Sequence, residues 1–414
     1  MLFFIYGAVF CWLLTRIKFI RDTGLTNQVI VFLFLIKIVG GIINGYVNLY
    51  HYPGTDSAAF HQEGIVEYHL LFNDPKEYFT NIFSFHHQNS GLLDMSDSYW
   101  NNLRSNLVIK LLSIFNIFSR GDFFINTIFY NFLIFFGSVS FYRIFIWIFP
   151  ERKIVLIIAL FLLPSLLYFT SGIHKDGLIF LALGICCFNL YFIIRKGFSL
   201  QKLTWFIIGL IMIFLLRNFV LITLVPALIA WVIAEKNKKY TAWIFIGVYL
   251  FFVVLFFNLG SLHPSLNLPK YVSERQIAFI EISKAGKSAI HINPLFPHFR
   301  SFFNNSPQAL NHSLMRPYIT EQYSLLYLPV AIEILICQIL LLLFLFFRIN
   351  NKHPEPLIYF GIFFGLSMFL MIGYTIPILG AIVRYRSIYL PFLLIPVVCY
   401  TDWKKISNLI HIRK

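Results

Sequence analysis

Continuous apolar runs of about 20 residues recur along this sequence, and they limit its fold more than any other feature. A run of that length crosses the hydrocarbon core of a bilayer as one helix. Backbone amides in lipid must be satisfied within the protein, and continuous rather than alternating hydrophobicity selects helices over a barrel. Only 12% of the residues are charged, about half the share in a soluble domain. The sequence therefore predicts an all-α integral membrane protein.

We predict about 11 transmembrane helices in a single polytopic membrane domain, residues 1–414. The predicted spans are 1–15, 29–47, 122–148, 154–171, 177–194, 203–216, 219–234, 241–258, 325–347, 357–374 and 387–401. Two polar segments, 48–121 and 259–324, remain between them. In the first, residues 103–118 have apolar side chains at helical spacing, which predicts an amphipathic helix on the membrane surface. Prolines throughout the second predict short helices and turns.

Basic residues in the short connections indicate the orientation of the chain. They occur at every second boundary, at Arg16/Lys18/Arg21, Arg152/Lys153, Arg195/Lys196/Lys202, Lys236/Lys238/Lys239, Arg348/Lys352 and Lys404/Lys405/Arg413/Lys414. Short connections rich in Lys and Arg stay in the cytoplasm, so we predict an outer N-terminus, a cytoplasmic C-terminus and two extracytoplasmic polar segments. This rule explains most of the formal net charge of +15 without nucleic acid as a partner.

The residues that usually bind metals show no regular ligand pattern. All five cysteines lie in apolar runs, where a thiol behaves as a small hydrophobe, so we predict no disulfide framework and no thiolate zinc site. The first polar segment contains several histidines, His51, His61, His69, His86 and His87. Their spacing fits no metal motif, and we predict no metal and no other cofactor; a divalent metal there is the alternative.

Asp56 is the first candidate catalytic residue. It follows the second predicted span, in Gly54-Thr55-Asp56-Ser57, with His61 and Glu63 as candidate supporting residues. Its carboxylate is predicted to lie close to the outer membrane surface, where it could act on a substrate. Alternatively, Asp56 is only the N-cap of the next helix.

Further candidates lie at the outer ends of other spans. His174, Lys175 and Asp176 form a short connection that is either part of a site or a solvated loop tip with a local ion pair. Arg217 occupies a tight outer turn, where it either belongs to the site or extends to the lipid headgroups.

Four more candidates come from the last third of the chain, with Tyr385 as a supporting residue. Arg316 precedes one span, and Arg384-Tyr385-Arg386 precedes the last. If this tripeptide is extended, both guanidinium groups can contact one phosphate; in a helix they diverge by about 200° and only one is expected to do so. Arg suits phosphate because its planar fork donates two parallel hydrogen bonds.

The positive-inside rule predicts few cations near helix ends on the outer side, yet Lys175, Arg217, Arg316, Arg384 and Arg386 are all predicted there. Cations grouped around one carboxylate could bind a lipid phosphate and activate a nearby hydroxyl. The sequence therefore predicts that these residues converge with Asp56.

These residues carry a resemblance to the GT-C superfamily of membrane glycosyltransferases, which includes protein O-mannosyltransferases and the aminoarabinose transferases of lipid A. Those enzymes have an Asp on the first large outer loop, and Asp56 in Gly-Thr-Asp-Ser-Ala-Ala-Phe-His resembles it. The loop with Lys175 and Asp176, the Arg217 turn and Arg384-Tyr385-Arg386 are similar to other segments of that superfamily. The chain departs from the pattern because many members have two adjacent acids, whereas Ser57 follows Asp56.

The resemblance implies a sugar donor linked to polyprenyl phosphate, in a bacterial inner membrane, and a glycan, lipid or protein acceptor outside the cytoplasm. It implies that Asp56 is the general base and that the cations bind the departing phosphate, with inversion at the sugar. Two alternatives stay open: a polymerase or ligase of polyprenyl-linked glycans, and a transporter or flippase without chemistry. Lys37 lies inside a predicted span and has no role in any of these hypotheses.

Overall fold

A computed structural model describes residues 1–52, 55–83, 99–284, 288–321, 327–349 and 354–411. Within these ranges the helices are joined by turns and irregular segments, and β-pairing is limited to two isolated antiparallel bridges, Ala289 with Ile378 and Arg348 with Thr401. The predicted all-α, multi-pass class is confirmed. His86 and His87 lie outside the described residues, as does the turn formed by Pro53 and Gly54.

Twenty α-helices are found in the described residues. They are α1 (Leu2–Arg16), α2 (Lys18–Arg21), α3 (Asn27–Tyr46), α4 (Asp56–Asn73), α5 (Pro75–Thr80), α6 (Tyr99–Ser119), α7 (Phe123–Ile148), α8 (Lys153–Ile157), α9 (Pro164–Ser171), α10 (Lys175–Lys196), α11 (Leu200–Arg217), α12 (Phe219–Lys236), α13 (Thr241–Leu262), α14 (Leu268–Ser283), α15 (Phe299–Leu310), α16 (Leu328–Phe346), α17 (Pro356–Thr375), α18 (Leu379–Ser387), α19 (Leu390–Tyr400) and α20 (Trp403–His411).

Eight of the helices in the described residues are long and apolar enough to cross a membrane singly, and two bent pairs bring the number to as many as 10. The pairs are Pro150–Leu162 with α9, bent by 44°, and α18 with α19, bent by 61°. Pro164 is the first residue of α9 and Pro391 is the second residue of α19, positions where a missing N–H costs no helical hydrogen bond. The predicted span 1–15 coincides with α1, a shorter apolar helix of 15 residues.

The two polar segments contain helices that the sequence anticipated. Residues 103–118, where the sequence predicts an amphipathic helix on the membrane surface, lie within α6, a helix of 21 residues. The proline-rich segment forms α14 and α15, of 16 and 12 residues, followed by a π-helical turn at Asn311–Met315. Short helices separated by turns were the expectation for this segment.

The chain divides into two compact units. Unit 1 comprises Met1–Pro150 and Leu160–Leu221; unit 2 comprises Glu151–Ala159 and Ile222–Lys414. In unit 1, α10 packs against α7 and α11, and glycines let the backbones of α7 and α10 touch. A Cβ added at Gly137 would lie 2.7 Å from Leu181 Cα. In unit 2, α17 is the central helix, and its buried face contacts α13, α14, α15 and α19.

Candidate functional site

Asp56 is the first residue of α4, directly after the span Asn27–His51. The N-cap position belongs to Thr55, so the interpretation of Asp56 as an N-cap is wrong. The Asp56 side chain is exposed in the first turn, where the partial positive charge of the helix N-terminus stabilises a carboxylate. The structure therefore presents an accessible acid at the end of a membrane span.

Lys175 lies beside the helix that carries Asp56. Its Nζ is 5.4 Å from the centre of the Phe60 ring, a cation–π distance, and donates a hydrogen bond to Ser105 Oγ at 3.0 Å. Phe60 is four residues after Asp56, so both occupy the same face of α4. The start of α10, α4 and α6 thus meet around one ammonium group, although Lys175 is 119 residues from Asp56 in the chain.

Close packing of α4 on α6 holds this arrangement in place. Gly64 permits the contact, since a Cβ there would lie 3.0 Å from Leu112 Cβ. Asn116 Nδ2 donates to the Gly64 carbonyl at 2.9 Å, and Lys110 Nζ forms an ion pair with Glu67 at 2.5 Å. The polar face of α6 is therefore used for packing within the protein, since Lys110 is half-buried and Asn116 is fully buried.

Asp176 and Arg217 form a buried ion pair within unit 1. Arg217 Nη2 lies 2.7 Å from Asp176 Oδ1, and the two side chains are 8% and 0% exposed. The pair joins the last turn of α11 to the first turn of α10, and it fixes the backbone from which Lys175 extends. From the sequence, Arg217 is either a site residue or a residue that extends to the lipid headgroups, and Asp176 is either a site residue or part of a solvated loop tip. Burial of both rules out snorkelling and the solvated tip.

His174 is also buried, at the N-cap of α10. Its backbone carbonyl accepts a short hydrogen bond from the Tyr130 hydroxyl on α7. Gly177 makes room for this contact, because a Cβ there would lie 2.6 Å from Tyr130 Oη. The connection before α10 is thus a rigid part of the core of unit 1, and its predicted polar residues do not sit on a solvated loop.

The two supporting residues on α4 differ in environment. His61 is half-buried, with its ring 5.2 Å from that of Phe123, and burial lowers the pKa of this imidazole while the Asp122 carboxylate partly offsets the change. His61 is therefore neutral at pH 7 and adds no cation to the site. Glu63 is exposed, nearly two turns after Asp56.

Arg386 occupies a different kind of position, in the core of unit 2. It is fully buried on α18, and its Nη1 donates to the carbonyls of Ser313, at 3.1 Å, and Arg316. The buried Glu333 carboxylate on α16 interacts with it electrostatically. In this structure Arg386 anchors the π-helical turn at Asn311–Met315.

The other two candidate cations of unit 2, Arg384 and Arg316, are more accessible than Arg386. Because α18 is helical, the side chains of Arg384 and Arg386 diverge, and only Arg384 is half-exposed, over the Tyr385 ring at 5.7 Å. Arg316 Nε lies 3.0 Å from Glu321 Oε1. Of the two outcomes considered for the Arg384-Tyr385-Arg386 tripeptide, the helical one is confirmed, so no more than one of its guanidinium groups is expected on a given phosphate.

Several residues around the site were not predicted from the sequence. Phe60, Ser105 and Tyr130 gave no signal, because an aromatic residue or a hydroxyl in an apolar chain is most often packing. Lys37 did give a signal, as a lysine inside a span. It is buried on α3, with Nζ donating to Thr170 Oγ1 at 3.0 Å, so it does not snorkel.

No group of three or more His, Cys, Asp or Glu side chains placed to hold a metal ion occurs among the described residues. The site as described consists of one exposed carboxylate, one half-buried ammonium group and a buried ion pair behind them. Such an arrangement can accept a proton and bind an anion.

No protein-family model, curated protein or solved structure matches this chain.

Proposed function

We propose that this protein is an inverting membrane glycosyltransferase that moves a sugar from a polyprenyl-phosphate donor to an extracytoplasmic glycan, lipid or protein. The main observation in support is the position of Lys175, on the ring of Phe60 one helical turn after Asp56. Lys175 therefore contacts the same helix that carries the Asp56 carboxylate, next to the end of a candidate membrane span. A lipid phosphate and a hydroxyl acceptor need these two groups.

In the proposed reaction Asp56 is the general base. As the acceptor oxygen forms its bond to the anomeric carbon, the Asp56 carboxylate takes the hydroxyl proton. The bond between the anomeric carbon and the phosphate oxygen breaks on the opposite face, and polyprenyl phosphate leaves with the bonding electrons. A single displacement inverts the configuration of the sugar. General-base assistance of this kind contributes about 10² to 10⁴ in rate.

Lys175 is the proposed partner of the departing phosphate. Its ammonium group would offset the negative charge that grows on the leaving oxygen, and electrostatic stabilisation of this kind often contributes more to catalysis than any other effect. Arg217 and Asp176 are assigned a positioning role, because their buried pair fixes the start of α10. The same role in unit 2 falls to Arg386, whereas Arg316 and Arg384 are proposed to contact anionic substrate groups.

The first test uses the full-length protein, purified and reconstituted in bilayers that contain radiolabelled undecaprenyl-phosphate sugars. Release of polyprenyl phosphate reports cleavage of the donor, and the length of the glycan product separates transfer of one sugar from polymerisation. Asp56→Asn is expected to lower the turnover number at least 10²-fold, because an amide cannot accept the proton. Binding of the donor lipid should change little.

Glu77→Gln is the matched control. Glu77 is an exposed carboxylate on α5, in the same polar segment, and its substitution should leave turnover unchanged. Full activity in Asp56→Asn would remove Asp56 from the mechanism. If the wild-type protein releases no more polyprenyl phosphate than a heat-inactivated sample with every lipid-linked sugar tried, the proposed function is wrong.

A further inference from the structure

A second polar region lies in unit 2, at the end of α19 that is opposite Arg384. Three basic connections that are separate in the sequence are linked there by hydrogen bonds to backbone carbonyls. Asp402 N donates to the Phe347 carbonyl at 2.8 Å, and Ile349 N donates to the Tyr400 carbonyl at 3.0 Å. Arg152 Nη2 donates to the Thr401 carbonyl at 3.3 Å. These contacts gather Arg152, Arg348 and the start of α20 into one basic cluster.

The cations of this cluster face outward. Arg348, Lys404 and Lys405 are exposed, and none of them forms an ion pair in the described part of the chain. Lys405 Nζ lies 5.9 Å from the centre of the Phe347 ring, so its ammonium group is held over the end of α16. Unpaired surface cations held this close together attract a multivalent or densely packed anion.

The helix that carries two of these lysines is amphipathic. Trp403, Ile406 and Leu409 recur at spacings of three on α20, while Lys404 and Lys405 lie on its polar side. Asp402 caps the helix by accepting from Lys405 N at 3.1 Å, and Trp403 Nε1 donates to the Val398 carbonyl at 2.9 Å. The helix therefore starts at a fixed point at the end of a candidate span, while Leu409 is left 48% exposed.

From this combination we infer that α20, together with Arg152 and Arg348, is a binding surface for the headgroups of anionic phospholipids. A helix with an apolar stripe and a basic face lies in the plane of the membrane interface, with its stripe among the acyl chains. Lys and Arg at that depth are attracted by lipid phosphates. A soluble acidic partner would leave the apolar stripe in water, so the lipid surface accounts for both faces of the helix.

The test uses the full-length protein in nanodiscs, one set of phosphatidylcholine alone and one set with 30 mol% phosphatidylglycerol. Hydrogen exchange of peptides that cover residues 401–411 is measured by mass spectrometry. We expect exchange there to be roughly 25-fold slower in the anionic discs, because two lysines near the surface each strengthen association by about fivefold. The difference should shrink at 0.5 M salt.

Lys404→Gln/Lys405→Gln should abolish the difference between the two lipids. The matched control is Lys270→Gln/Lys284→Gln, which removes two exposed lysines of the same unit that pair with Glu274 and Glu281 on their own helices. The control should keep the lipid difference at 401–411. Equal exchange in both kinds of disc would overturn the inference. Equal protection by inorganic phosphate in phosphatidylcholine discs would also overturn it, in favour of a soluble anion.

Discussion

Unit 1 and unit 2 each contain a buried arginine that the sequence assigned to phosphate binding, and the two are satisfied differently. Arg217 in unit 1 is paired with a carboxylate, Asp176, on the neighbouring helix. Arg386 in unit 2 donates to backbone carbonyls of a π-helical turn, with Glu333 as an electrostatic partner. The first arrangement joins two helix ends, whereas the second holds together a turn that regular helix geometry leaves unsatisfied.

This difference shows that a cation at the end of an apolar helix can have a structural role, whether or not it also binds a ligand. A buried guanidinium group needs hydrogen-bond acceptors, and it takes them from the protein when they are near. Lys175, which is half-buried on a ring and a hydroxyl, is the cation of unit 1 that we propose for an anionic substrate. Substitution of Arg217, of its partner Asp176 or of Arg386 should therefore lower the stability of the protein, whereas substitution of Lys175 should lower its activity.

The largest effect on stability is expected from Asp176→Asn. The substitution leaves the Arg217 charge buried without its carboxylate, which costs about 3 to 5 kcal/mol of unfolding free energy. Thermal unfolding of the purified protein in a mild detergent measures the loss. Asp22→Asn is the matched control, because it removes a more exposed pair of the same unit, Arg143 with Asp22 at 3.3 Å, and should cost less than about 1 kcal/mol.

The double variant Asp176→Asn/Arg217→Met sharpens the result. It removes both charges, so it should be more stable than the sum of the two single effects predicts, by about 1 to 3 kcal/mol. Strict additivity would mean that the two side chains do not act as a pair. If Asp176→Asn is stable but fails to bind the donor lipid, Arg217 is a substrate-binding residue and not a structural one.

In unit 2, Arg386→Met should lower the free energy of unfolding by about 3 kcal/mol, because the variant removes charge-assisted hydrogen bonds to two carbonyls. Arg386→Lys should recover part of it, since both carbonyls accept from the single Nη1 atom and an ammonium group keeps the charge and can donate to both. Hydrogen exchange of peptides from residues 299–321 reports the local opening. Unchanged protection in Arg386→Met would show that the turn does not depend on this arginine.

The sequence predicted the positions of the membrane helices well, because the apolar runs needed to cross a bilayer are local features. Residues 154–171 were predicted as one span and form a helix pair bent at Pro164, a bend set by the proline and by packing. The amphipathic helix at α6 was predicted for the same local reason, as side-chain spacing alone determines its faces.

The site was predictable only in part. Asp56 and Lys175 could be chosen by residue type, since charges next to spans are rare. The contact of Lys175 with Phe60, one turn after Asp56, depends on how α4, α6 and the start of α10 pack together, which no local pattern specifies. The partner of Arg217 was missed because Asp176 belongs to another connection, and the two come close only when α10 and α11 pack side by side.

Lys175→Met tests the contrast between structural and substrate-binding cations directly. The methionine keeps the apolar contact with Phe60 and loses the charge, so stability should change by less than about 1 kcal/mol while kcat/KM for the lipid donor falls about 10- to 100-fold. Turnover measured at several donor concentrations separates the two effects. Lys175→Arg should restore part of the activity. A large loss of stability with normal activity would place Lys175 among the structural cations.

A smaller effect, and one that concerns unit 2 alone, comes from His312 in the π-helical turn. Burial, and then the positive charges of Arg316 and His291, lower the pKa of this imidazole to about 4. The ordinary value in an unfolded chain is about 6.5, so between about pH 4 and pH 6.5 the unfolded state binds the proton and the folded state does not. Stability from this group is therefore complete above about pH 6.5 and is lost as the pH falls toward 4.

The expected change is about 1 to 2 kcal/mol between pH 7 and pH 5, and it should appear as faster hydrogen exchange in residues 299–321. His312→Gln should make that region insensitive to pH in this window, because glutamine does not titrate. The wild-type turn loses stability because a proton on His312 would place a further cation next to Arg316 and close to the carbonyls that Arg386 occupies. An equal pH response in His312→Gln would assign the effect to another group and leave the Arg386 anchor independent of pH.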